Sequence, residues 1–203
     1  GLGDVYKRQV LAFDAKEPNN SNSDRKNYGN NRYSYANVLQ WLNSNATAGN
    51  WYSAKHSADQ SPNSTSVVTY NPYADLAGFL AMLDDDFVAA LLDTTVTVAK
   101  NTVTDGGSYE TVTAKMHLPS TTEVGLANEN GIAEGSKLAL FSDNTSRLAY
   151  PTAECVSNSD YTSSSFNTSS SWYWWLRTPY SGNSYFVRLV ITSGALLSNN
   201  AYN

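Results

Sequence analysis

Ser171-Trp172-Tyr173-Trp174-Trp175-Leu176-Arg177-Thr178-Pro179 is the stretch on which the reading of the fold turns. It holds three of the chain's five tryptophans within four residues. Aromatic side chains suit a pleated, half-buried surface, so the stretch reads as a strand. Side chains alternate between the two faces of a strand, which puts Trp172, Trp174 and Leu176 on one face and Tyr173, Trp175 and Arg177 on the other. Large apolar groups on both faces predict a strand at the centre of a sheet, covered on both sides. Pro179 has no N–H for the ladder and should end it. Arg177, inside this aromatic mass, reads as a structural cation stacked on an indole or paired with a buried carboxylate, in preference to a ligand contact, because an unpaired buried charge is very costly.

Downstream, Tyr180–Ser184 reads as a loop and Tyr185–Thr192 as a second strand, with Phe186, Arg188 and Val190 facing away from Val187 and Leu189. Ser193-Gly194 turns the chain and Ala195–Leu197 begins a return. Upstream, the segment 157–171 is almost wholly Ser, Thr, Asn and Tyr, too polar to bury itself, and Leu138–Phe141 suggests a short strand. Leu118-Pro119-Ser120-Thr121-Thr122-Glu123 places Ser120 and Glu123 at capping-box spacing and predicts a short helix from Ser120. Thr94–Lys100 and Val112–Leu118 read as strands joined through Asp105-Gly106-Gly107, a hairpin. Asp75–Leu92 reads as an interrupted helix with one apolar set at Leu76, Phe79, Leu80 and Leu83 and another at Phe87, Val88, Leu91 and Leu92. Asp84-Asp85-Asp86 between them fits capping, with Asp84 as the cap, better than a metal site. Ser34–Ser44 reads as a helix capped by Ser34, with Val38, Leu39, Trp41 and Leu42 on its apolar face. Asn45–Pro72 is a long polar loop, 14–31 another, and Val10–Phe13 a short strand. Residues 1–9, GLGDVYKRQ, look like an adapter scar rather than domain sequence, leaving 10–203 as a single domain.

Composition narrows function by exclusion. The 203 residues are 41% hydrophobic but only 15% charged, with a net charge of −5, which argues against nucleic acid and anionic membranes as partners. The surface must be made of Ser, Thr, Asn and the 14 tyrosines, a composition suited to adaptable contacts. One cysteine, Cys155, excludes an intrachain disulfide, and His56 and His117 lack metal-ligand spacing. No cofactor or metal is expected. No phosphate loop, nucleophile elbow or histidine-carboxylate metal motif is present in the sequence, and no apolar run is long enough to cross a bilayer.

Four segments in order, Tyr28-Gly29-Asn30-Asn31-Arg32-Tyr33, Gln40-Trp41-Leu42-Asn43-Ser44, Leu118–Glu123 and Trp174–Pro179, resemble the motifs of a bacterial domain family of unknown function. That family closes on a GVRP motif absent here and has strands ahead of the position of Val10, so the resemblance implies a piece lacking both ends of the domain. It also implies a fold that is C-type-lectin-like in the broad sense. The LPS-x-x-E segment is similar to that of formylglycine-generating enzymes, whose chemistry uses two cysteines; with Cys155 alone, their activity is not carried over. Glu17-Pro18-Asn19 matches the letters of a lectin calcium tripeptide but precedes the first predicted helix, so no calcium site is carried over. The same broad fold serves the variable proteins of diversity-generating retroelements, and Tyr180–Asn203 is similar in composition to their diversified surfaces.

The expectation is therefore an α+β domain: a twisted, mainly antiparallel sheet, two helical segments and long polar loops. Its expected role is a non-enzymatic binding module on a bacterial cell surface or phage particle, taking a protein or glycan ligand. Tyr180, Asn183, Tyr185, Asn199, Asn200 and Tyr202 are the expected ligand contacts. Trp174, Trp175, Arg177, Glu123 and Trp41 are the expected platform beneath them. A structural domain of a larger surface protein and a divergent formylglycine-type enzyme are the alternatives. An unpaired edge beside Tyr185–Thr192 is a further expectation.

Overall fold

The computed structural model describes residues 11–157 and 159–203. The stretch 1–9, expected to be an adapter scar, and Val10, first residue of one expected strand, lie outside them. Residues 11–13 form no ladder: they are buried in the main core, where the Trp175 indole donates to the Leu11 carbonyl at 2.9 Å.

The architecture is α+β. Among the described residues, β1 (Thr94–Ala99) and β2 (Tyr109–Ala114) make one antiparallel sheet, and β3 (Trp174–Pro179), β4 (Phe186–Val190) and β5 (Leu196–Asn200) make a second. The hairpin runs in register from Thr94 opposite Ala114 to Ala99 opposite Tyr109 and turns through Asp105-Gly106-Gly107 as expected. β2 starts before Val112 and stops short of Leu118, because the chain beyond it leaves the ladder for another partner. Asn43 Oδ1 accepts the N–H groups of Lys115 and Met116 at 3.0 and 2.9 Å, and the Tyr33 hydroxyl accepts that of Leu118 at 2.9 Å.

The aromatic strand is buried on both faces but is not central in its sheet. The order is β3-β4-β5, so β4 is the middle strand and is paired along both edges. This overturns both the central position assigned to the aromatic stretch and the open edge beside Tyr185–Thr192. β3's outer side is covered by a loop instead: Arg177 N–H donates to the Pro119 carbonyl at 2.9 Å. The β3–β4 register slips between Trp175 and Pro179, and Leu176 to Pro179 are all buried. The two faces of the sheet explain the aromatic content. On one, Trp175 and Val187 join the main core with Phe13, Tyr33, Trp41, Tyr73 and Val98. On the other, Leu176, Val190 and Val124 make a smaller core against which Trp174 and Phe141 pack.

The helices are shorter than periodicity predicts. The Ser34–Ser44 helix is a 3-10 turn at Tyr33–Tyr35 followed by α2 (Asn37–Leu42), with Ala36 at the N-cap. Ser34 does not cap; its hydroxyl donates to Glu110 at 2.6 Å. A local cap is unnecessary, because Asn37 N–H donates to Asp14 Oδ1 and Val38 N–H to the Phe13 carbonyl, so a distant strand of chain satisfies the first turn. Ahead of it lies a helix that the sequence reading missed, α1 (Ser23–Tyr28), where Asn22 Oδ1 accepts the N–H groups of Asp24 and Arg25 at 3.0 Å each. Asp75–Leu92 reduces to a 3-10 turn at Phe79–Met82 and α3 (Asp85–Ala90). Asp84 sits at the N-cap position but its side chain makes no capping bond. Only Val88 and Leu91 of its second apolar set reach the core; Phe87 and Leu92 are exposed. The expected strand at Leu138–Phe141 is a turn with Leu140 exposed, and α4 (Ala153–Ser157) buries Cys155.

Candidate functional site

The segment from Leu118 to Glu123 folds as turns rather than a helix, yet its capping-box bonds are both present. Ser120 N–H donates to Glu123 Oε2 at 3.0 Å and Glu123 N–H donates to Ser120 Oγ at 3.1 Å. The box aims the Glu123 carboxylate at Arg177, which is 1% exposed. The pair is bidentate, with Nη1 to Oε2 at 2.6 Å and Nη2 to Oε1 at 2.9 Å. The same two nitrogens donate to the carbonyls of Leu118 at 2.8 Å and Glu134 at 2.7 Å. Arg177 is thus a structural cation with a carboxylate partner. Gly135 permits this: its φ is +103°, and a Cβ there would stand 2.7 Å from Glu123 Oε1. Beside the pair, Glu134 is fully buried and accepts from Ala99 N–H and Asn128 at 2.8 Å each and from the Thr178 hydroxyl. Burial pushes its carboxyl up despite those donors.

The rest of the expected platform is distributed. Trp41 is in the main core, with its indole N–H on the Ala77 carbonyl at 3.0 Å and its ring edge-on to Tyr73 and Phe79. Trp174 and Trp175 point to opposite sides of the sheet, as alternation requires, and their indoles reach the carbonyls of Arg147 and Leu11.

The six expected contacts are all half-buried and do not form one surface. Tyr185 and Tyr202 gather around Tyr28, with centroids at 4.9 and 6.1 Å, and Lys16 lies 4.8 Å from the Tyr202 ring. Burial, and then Asp24 and Tyr28, push the Tyr185 hydroxyl up. Tyr180 lies under the Arg188 guanidinium at 4.8 Å. Asn183 is a turn former: its Oδ1 accepts the N–H groups of Tyr185 and Phe186 at 3.1 and 2.7 Å. Asn199 and Asn200 stand opposite Val187 and Phe186, so alternation sends their side chains to opposite faces of β5.

Asn199 belongs to a cavity of about 620 Å³, a size that suits a small ligand. Trp172, Tyr173, Trp174 and Trp175 all contribute to its wall, with Tyr70 and Tyr161. The wall is mostly apolar. A polar atom on it is left over: Asn71 is 3% exposed, and its Oδ1 has no hydrogen-bond partner among the described residues. The 159–171 segment is held here by its aromatics, since Tyr161 and Phe166 pack against Trp172 at 5.3 and 4.9 Å, and Tyr70 meets Tyr161 at 5.0 Å. Sequence reading passed over Tyr70, Tyr161 and Phe166; an isolated aromatic within a polar stretch was the available signal.

The motif Tyr28–Tyr33 also acquires a physical role. Asn31 is fully buried, and its Nδ2 lies within hydrogen-bond reach of the carbonyls of Tyr180 at 3.3 Å and of Asn183 and Phe186 at 2.9 Å each. Its Oδ1 accepts from Asn101 at 2.9 Å; Asn101 also meets Asp105, which pairs with the buried Arg25 at 2.6 Å. This network fixes the β3–β4 loop from beneath. Gly29 completes the motif, with φ +78° and the Asp14 carbonyl 2.7 Å from where a Cβ would be.

The remaining reactive residues are engaged locally. His117 Nε2 is 3.0 Å from the Thr94 carbonyl, and His56 stacks on Tyr35 with centroids 3.4 Å apart and meets Asp59 through Nδ1 at 3.2 Å. Among the described residues no group of three His, Cys, Asp or Glu side chains is placed to hold a metal ion, and no helix is long and apolar enough to cross a membrane.

A family model described as a domain of unknown function, DUF6273, matches residues 5–203. No curated protein and no solved structure matches the chain.

Proposed function

We propose that this chain, which belongs to the DUF6273 family, is a non-enzymatic ligand-binding module of a bacterial or phage surface protein. The observation that supports it is the cavity walled by Trp172, Tyr173, Trp174 and Trp175. Trp172 and Tyr173, just ahead of β3, and Trp174 and Trp175 within it contribute aromatic surface for a sugar ring or an apolar protein side chain, at small cost in side-chain entropy. The side-chain oxygen Oδ1 of Asn71 offers a buried acceptor, and so asks for a ligand with a hydrogen-bond donor. The proposal includes a C-type-lectin-like fold, for which the order of motifs from Tyr28 to Pro179 is the support. It also includes diversification of the surface around β4 and β5. Because Asn183 holds a turn and Val187 is buried, variation there should spare those two and fall on Tyr185, Leu197, Asn199, Asn200 and Tyr202.

The test is to screen the folded chain against immobilised glycans and a displayed peptide library, then to repeat any hit with Trp172→Ala and Tyr173→Ala. Loss of about tenfold in affinity from either variant, each removing an aromatic stacking face, supports the cavity as the site. Binding that both variants leave intact refutes it. A folded chain that retains nothing from either collection moves the reading to a structural domain of a larger surface protein.

A further inference from the structure

A second pocket lies on the other side of α2 and shares no lining residue with the aromatic cavity. Its volume is about 410 Å³, and Tyr35, Asn37, Gln40, Tyr52, Lys55 and Asp59 are on its wall. The loop from Trp51 to Asp59 is organised around the last of these. Asp59 Oδ2 accepts the N–H groups of Lys55 and His56 at 2.8 Å each and meets the His56 ring at 3.2 Å. Asp59 Oδ1 is buried, with the side chain 7% exposed, and has no hydrogen-bond partner among the described residues. The hydroxyl of Tyr52, also on this wall, is likewise buried and without a hydrogen-bond partner among the described residues. A carboxylate oxygen and a phenol oxygen removed from water on one small pocket, each without a partner, mark the place of a missing hydrogen-bond donor.

We infer that this pocket binds a primary ammonium group, which donates to Asp59 Oδ1 and to the Tyr52 hydroxyl oxygen. An ammonium carries three donors and one positive charge, so it can satisfy both oxygens and neutralise the carboxylate. The charges that face it favour this. Burial first, and then Asp59, Asp14 and Glu17, push the Tyr52 hydroxyl up to about 12; burial likewise pushes the Asp14 and Glu17 carboxyls up, which leaves Asp59 as the principal acidic partner at the wall. On the basic side, Arg32 is held by Glu110 at 2.5 Å, Lys55 is exposed, and His56 is stacked on Tyr35. A single buried carboxylate does not make a metal site. The volume admits an amine as large as an amino sugar or a lysine side chain, and both sources share the chemistry.

The experiment is an NMR titration of the ¹⁵N-labelled chain with four probes: D-glucosamine, its neutral counterpart N-acetylglucosamine, Nα-acetyl-lysine methylamide and Nα-acetyl-norleucine methylamide. Saturable shifts in residues 35–59 with the amines, and none with their neutral counterparts, are expected. The stronger of the two amines identifies the source as glycan or peptide. Asp59→Asn keeps an oxygen for the Lys55 and His56 N–H groups and should weaken amine binding roughly tenfold or more, as should loss of the charge-assisted bond itself. Tyr52→Phe, which removes a hydroxyl with no hydrogen-bond partner among the described residues, should weaken it severalfold and stands as the second variant if Asp59→Asn does not fold. Equal binding of the neutral probes, unchanged binding in Tyr52→Phe and Asp59→Asn, or no shift at millimolar amine would overturn the inference and leave the two oxygens to a trapped water.

Discussion

Glu123→Ala is the most informative single change, because it leaves Arg177 charged, buried and without its carboxylate. Arg177 is 1% exposed, so water cannot replace the lost partner without opening the 118–123 segment. Removing one member of a buried ion pair costs about 3–5 kcal/mol. The carbonyls of Leu118 and Glu134 still accept from the guanidinium, which argues for the lower end. Loss of the bond from Ser120 N–H to Glu123 adds about 1 kcal/mol. The sum, about 4 kcal/mol, is a large share of the 5–15 kcal/mol that typically holds a domain together. Urea unfolding at pH 7, followed by tryptophan fluorescence, measures it. The cycle with Arg177→Met separates the pair from its surroundings. Arg177→Met alone should be costly because it orphans two buried carbonyls, yet the double variant should cost about 2–3 kcal/mol less than the sum of the singles. A loss below about 1 kcal/mol in Glu123→Ala, or strictly additive costs, would refute the claim that this pair pins the loop to β3.

Asn31→Ala removes one side chain that the β3–β4 loop shares with the 101–105 turn, and should cost about 2–4 kcal/mol in thermal or urea unfolding. Amide exchange in residues 180–186 should accelerate at the same time, and unchanged exchange there would count against the network. Glu134→Gln tests the sign of a pH effect. Burial raises the folded-state pKa of Glu134, so its stabilising contribution is complete below the unfolded carboxylate value of about 4 and is lost as pH rises through the folded value. The stability gap between the natural chain and Glu134→Gln should therefore be widest near pH 4 and narrow toward neutrality. A gap that widens with pH contradicts the assignment.

What the sequence determined by itself was local. Alternation and turn residues located the β1–β2 hairpin, β3, β4 and the start of β5 at Leu196, spacing located the capping box of Ser120 and Glu123, and aromatics on both faces of one strand marked it as other than a surface strand, although its central position was not borne out. These depend on residues within a few positions of one another, where propensity and periodicity act. Tertiary structure decided what depends on contacts far apart in the chain. It gave β3 a loop rather than a strand on its outer side, through Arg177 and Pro119. It chose Glu123, 54 residues away, as the partner of Arg177. It let Asp14 and Phe13 do the capping that Ser34 was expected to do. It sent Asn199 and Asn200 to opposite faces of β5, gathered Tyr185 and Tyr202 around Tyr28, set Tyr180 under Arg188 and Asn183 in a turn, and assembled the aromatic cavity from Tyr70, Tyr161 and the Trp172–Trp175 run. Loop closure brings such residues together at a cost that grows only slowly with separation, so no local pattern records which distant groups will meet.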